Sequence, residues 1–160
     1  MPWCIRALRD SERPPDAKLQ GVGLILVARE APGEAVAFVV LQQQNLIVPL
    51  VGDFAGGKTL AAVGQFLKDR GATASYFYVS NVERYLFDQG DDTKKFYDNV
   101  AALPRDAASV FIRSITSDIS RRLGIPILDN PAKWRSYVAP INANLKSFAD
   151  GRIVSYRDLF

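Results

Sequence analysis

The chain has no histidine and one cysteine, Cys4, among its 160 residues. Ser-His-Asp and Cys-His hydrolysis, histidine zinc sites, C-x-x-C redox pairs and internal disulfides are therefore excluded, and Cys4 reads as an idle thiol. A general base has to be a carboxylate, a lysine or a tyrosine, and any metal ion has to sit on oxygen ligands, as magnesium does. No spacing of such residues marks a metal site or assigns a catalytic group. An uninterrupted apolar run of about 18 residues is also missing. Arg6, Arg9 and Asp10 stand where a secretory segment has to be apolar, so the expectation is a cytoplasmic chain with no membrane partner. The net charge is only +3, and no basic stripe interleaved with aromatics offers itself to nucleic acid.

What is present is the composition of one globular domain, 48% apolar and 23% charged. Residues 1–36 differ in texture from the rest, with polar breaks at Glu12-Arg13-Pro14-Pro15-Asp16 and Ala31-Pro32-Gly33-Glu34 around a short apolar run, Gly21 to Ala28. From Ala37 onward strands alternate with helical segments, as in an α/β sheet. Leu46 to Val51 is a nearly continuous apolar run, and Pro49 within it argues for a sheet edge or a bulge. Leu60, Val63, Gly64 and Leu67 follow at helical spacing, with Gly71 placed to end that helix. Residues 74–79 read as a second strand, Val82 to Leu86 as a short helix, Phe96, Tyr97 and Val100 as one face of another helix, and Ser109 to Ile112 as a third strand. Residues 125–131 read as a loop lying on the core. Ile141, Leu145, Phe148 and Ala149 form the stripe of a last helix ended by Gly151, and Ile153 to Tyr156 read as a closing strand.

The turn from Gly52 to Thr59 is the most specific motif. Its spelling fits G-x-x-x-x-G-K-[ST], a loop whose backbone N–H groups cradle phosphates while a lysine reaches the outer ones. That reading makes the chain a nucleotide-triphosphate-binding protein, with Gly57, Lys58 and Thr59 on the phosphates of ATP or GTP with magnesium. A metal-holding aspartate should then end a later apolar strand. The strand at 74–79 runs instead into Ser80-Asn81, and the one at 109–112 into Arg113.

The run from Asn45 to Gly56 and several further blocks in order resemble an uncharacterised bacterial family classed as S-adenosylmethionine methyltransferase-like. The blocks are Gly71-Ala72-Thr73, Tyr78 to Phe87, Asn99 to Pro104 and Phe111-Ile112-Arg113-Ser114. In that family the position of Gly57 is usually proline and that of Thr59 a small residue, so the lysine-threonine ending departs from the pattern. The resemblance implies an α/β fold with a partial Rossmann-like, mostly parallel sheet and flanking helices, residues 37–160 being the C-terminal half of a methyltransferase-like domain behind a 1–36 leader. It also implies S-adenosylmethionine as cofactor, held by a glycine loop in the half that this chain does not resemble, so the chain reads as incomplete and inactive alone.

Ligands of open α/β sheets bind beyond the carboxyl ends of the strands. By resemblance, the edge of a small-molecule cofactor or substrate site is expected among Gly52, Asp53, Phe54, Asn81, Glu83 and Arg113. Each also has a structural reading: Asp53 and Asn81 as helix caps, Glu83 with Arg113 as an ion pair. A third functional class is a non-catalytic interaction domain, a homo-oligomer formed through an exposed sheet edge.

Overall fold

A computed structural model describes residues 2–7, 23–29, 47–125 and 134–160, with side chains from Leu50 onward. The turn at 31–34 and the loop expected over 126–131 lie outside the described residues. Among the described residues, six strands form one sheet: β1 (Pro2–Ala7), β2 (Gly23–Arg29), β3 (Ile47–Gly52), β4 (Thr73–Ser80), β5 (Val110–Thr116) and β6 (Trp134–Pro140), in the spatial order β3-β2-β1-β4-β5-β6. The helices are α1 (Thr59–Lys68), α2 (Val82–Phe87), α3 (Asp92–Ala101), α4 (Ser117–Leu123) and α5 (Ile141–Ala149), followed by a 3-10 turn over Tyr156–Leu159.

The sheet is mixed, which overturns the expected mostly parallel, Rossmann-like arrangement. Three of its five pairings are antiparallel, β1 with β2, β2 with β3 and β5 with β6, and only β1–β4 and β4–β5 are parallel. Within β4–β5–β6, the part with described side chains, one pair is parallel and one antiparallel. At β6 the chain turns back beside β5, Trp134 at the start of β6 pairing with Thr116 at the end of β5, and the alternation of Trp134, Ser136 and Val138 with Arg135, Tyr137 and Ala139 suits an antiparallel edge strand with one face in solvent.

The helices cover one face. Leu60, Val63 and Leu67 of α1 and Phe96, Tyr97 and Val100 of α3 are buried, at the spacing that predicts them. They close over Phe77 of β4 and Phe111 of β5. The Phe77 ring lies 5.9 Å from Phe54, 6.0 Å from Phe96 and 5.6 Å from Phe111. Burying each such side chain contributes about 1.5–3 kcal/mol, so this aromatic cluster is the anchor of the fold. Gly71 and Gly151 follow α1 and α5 at positive φ, where a β-carbon is unfavourable. β3 is a sheet edge, where Pro49 needs no ladder donor on its outer side.

The expected closing strand at 153–156 does not form. The Asp158 carboxylate accepts from the Val154 and Ser155 backbone N–H groups at 3.0 and 2.8 Å. Those are the donors a strand would use, and Ser155 completes a capping box that starts the 3-10 turn instead.

Candidate functional site

The glycine-rich turn is folded as the packed start of a helix. Asp53 does not cap α1; its Oδ1 accepts from the Ala55 N–H at 2.9 Å, and the Gly56 N–H donates to the Asp53 carbonyl at 3.3 Å. Two donors that could face an anion are thus taken up within the turn. None of Gly52, Gly56 and Gly57 has a positive φ, so the turn lacks the alternating-handed backbone from which an anion nest is made. The Asn99 amide donates to the carbonyls of Phe54 and Gly56 at 2.9 and 3.0 Å, clamping the turn onto α3. Gly52 is required for packing: a β-carbon there would lie 1.9 Å from Thr59 Oγ1. Gly57 and Lys58 are exposed, and Lys58 occupies the N-cap position of α1 without a side-chain capping bond.

Glu83 and Arg113 are brought together, but inside the core. Arg113 lies in the middle of β5 rather than at its end. Its Nε donates to Glu83 Oε2 at 2.5 Å and its Nη2 to Glu83 Oε1 at 2.8 Å, with the side chains 0% and 1% exposed. Tyr97 of α3 donates to Glu83 Oε1 at 2.7 Å, and Asn144 of α5 accepts from Arg113 Nη2 at 2.9 Å. The guanidinium centre also sits 4.7 Å from the Phe111 ring centroid. Burial works against the Arg113 charge, and the adjacent Glu83 carboxylate more than offsets it, holding the guanidinium protonated above its usual range. Burial and the same carboxylate push the Tyr97 phenol far above the ordinary tyrosine range.

A kink at Ser80 delivers Glu83 to this position. Ser80 is buried with φ at 53°, a left-handed conformation that a serine adopts only under constraint. The β4–β5 register shifts between Tyr78 and Ser80. The chain turns there into α2, whose first turn dips Glu83 beneath α3. Asn81 stands half-buried at the N-cap position of α2 but makes no side-chain capping bond.

The six residues expected at one ligand edge therefore fall into three places. Phe54 is core, with its ring 6.2 Å from Phe96; Gly52 and Asp53 shape the helix start; Glu83 and Arg113 are consumed in the buried network, with Asn81 at its margin. Two members of that network, Tyr97 and Asn144, are not marked as polar partners by any sequence motif. Tyr97 sits on the apolar stripe of its helix, and Asn144 is one turn after Ile141, so a polar atom on a buried stripe is the available signal.

Among the described residues, no helix packs on the other face of the sheet. Tyr76 and Tyr78 of β4, Ile112 and Ser114 of β5, and Trp134, Ser136 and Val138 of β6 share it by strand register. Tyr76 is 38%, Trp134 40% and Val138 65% exposed, and Val51 of β3, opposite in facing to core-packed Leu50, is 71% exposed. The Tyr78 hydroxyl and Ser114 Oγ lie 3.1 Å apart, and Ser114 Oγ is 3.4 Å from Ser136 Oγ, a polar seam across three strands. Among the described residues, no helix is long and apolar enough to cross a membrane.

No curated protein matches the chain. A family model does, over residues 38–158, beginning where the orderly strand and helix alternation begins. That match covers most of the chain, which belongs to the family described as Domain of unknown function (DUF7790).

Proposed function

We propose that this chain is an interaction domain that self-associates through the open face of its sheet and the β6 edge. The observation that carries this reading is the one-sided layering: among the described residues the helices pack on the Phe77 and Phe111 face, while Tyr76, Trp134 and Val138 meet solvent on the other. Large exposed apolar side chains gathered on one face mark contact sites. The face fits a second copy because none of Tyr76, Tyr78, Ile112, Trp134, Ser136 and Val138 is charged, so two copies meet without like-charge opposition. β6 is the last strand in the sheet order, and an edge strand offers backbone groups that an antiparallel partner completes about a two-fold axis.

Light scattering on the eluting protein tests the reading. Self-association predicts a mass of twice the chain or more at high concentration, reduced to one chain by Val138→Lys. A monomer at every concentration overturns it. Titration of the same protein with S-adenosylmethionine, and separately with ATP and magnesium, reports on the transferase and nucleotide readings. Saturable binding of ATP with magnesium that is lost in Lys58→Ala would favour the phosphate loop over the interaction domain.

A further inference from the structure

A cavity of about 320 Å³ opens between the end of α2, the end of α4 and the residues before the 3-10 turn, lined by Arg84, Phe87, Asp88, Leu123, Val154 and Tyr156 with Ser155. Its volume is at the small end of the range for ligand pockets.

Three features of its lining point to one chemistry. Arg84 is half-buried and enters no ion pair among the described residues; its guanidinium centre is 6.0 Å from the Tyr85 ring centroid. Asp88 stands four residues on, at the C-cap of the same helix and on the same face, and is not paired with Arg84 either. A cation and a carboxylate thus border one cavity without neutralising each other. Phe87, Leu123 and Val154 supply an apolar wall beside them. Tyr156 also lines the cavity, and its hydroxyl is buried with no hydrogen-bond partner among the described residues.

We infer that this cavity binds a free α-amino acid with an apolar side chain, its carboxylate against Arg84, its ammonium against Asp88 and its side chain against Phe87, Leu123 and Val154. Each charge of the ligand meets an opposite charge on the wall, a ligand with only one of the two charges forms half of these bonds, and that is the basis of the discrimination.

Isothermal titration of the full chain with L-leucine and L-phenylalanine tests the inference. Saturable binding of either is expected, weakened at least about tenfold in leucinamide, which lacks the carboxylate, and in N-acetyl-leucine, which lacks the ammonium. Arg84→Gln should produce the same loss for the free amino acid. Val154→Trp, at an exposed rim position, should block binding while leaving the circular dichroism spectrum unchanged, so the test survives if the arginine variant does not fold. Absence of saturable binding by both amino acids overturns the inference, as does binding indifferent to end-blocking and to Val154→Trp.

Discussion

Phe77 and Tyr76 are neighbours in β4, yet one is sealed among three other rings and the other is over one-third exposed. Facing alternates in the same way in β5, with Phe111, Arg113 and Ile115 toward the helices and Ile112 and Ser114 away, although there Ser114 is buried and Ile112 half-buried. Period-two alternation forces this division, since successive side chains point to opposite sides of a sheet. The helix-covered face holds both the apolar anchor and the one fully buried charge pair described, so it carries the stability. The other face keeps Tyr76, Trp134 and Val138 partly in solvent.

Substitutions that break the covered face should have the largest effects. Phe77→Ala is expected to cost about 3–5 kcal/mol by cavity formation, read as a lower midpoint in denaturant unfolding. Glu83→Leu should be comparably severe, at about 3–5 kcal/mol, because it strands the Arg113 guanidinium in the core. Combining it with Arg113→Met sharpens the point. If the pair serves mainly to satisfy itself, the double variant recovers much of the loss; no recovery would mean that the bonds to Tyr97 and Asn144 carry the stabilisation.

Tyr97→Phe should cost about 1–3 kcal/mol through the lost bond to the buried carboxylate. It also has a pH signature. The Tyr97 and Tyr156 phenols are both raised, chiefly by burial, so their contribution is complete below the unfolded tyrosine pKa of about 10 and is lost as pH rises beyond it. Stability of the parent should therefore fall more steeply in alkali than that of Tyr97→Phe. On the open face, Tyr76→Ser should change monomer stability by no more than about 0.5 kcal/mol while weakening self-association.

The smallest expected effect is at Asp158. Backbone bonds from Val154, the Ser155 hydroxyl and the Ser155 N–H hold its carboxyl below the usual range. Its contribution is then present above the unfolded carboxylate pKa and lost as pH falls through the folded value. Melting temperatures of the parent and Asp158→Asn should differ at neutral pH and converge in acid.

Elements whose pattern is local are legible in the sequence. The stripe of α1, the buried face of α3, the glycines after α1 and α5, and Pro49 on an edge strand all follow from period, capping and donor loss. Strand direction is not legible, because alternation of strands and helices suggests the parallel form, while the return of β6 against β5 is a tertiary pairing that no local pattern marks. The Gly52 to Thr59 spelling misleads for a similar reason: a nest is a matter of φ and free N–H groups, and Asp53 takes up the N–H groups of Ala55 and Gly56. An ion pair between Glu83 and Arg113 is one of the two readings their sequence positions allow; its depth is not, since that depends on the left-handed turn at Ser80.

Sedimentation velocity of the parent chain beside Val138→Lys, across a concentration series, tests the division of the sheet most directly. If the open face carries contact, the parent shifts to a dimer or larger species with concentration and the variant stays a folded monomer. A parent that sediments as a monomer throughout, or a variant that associates equally well, would contradict it.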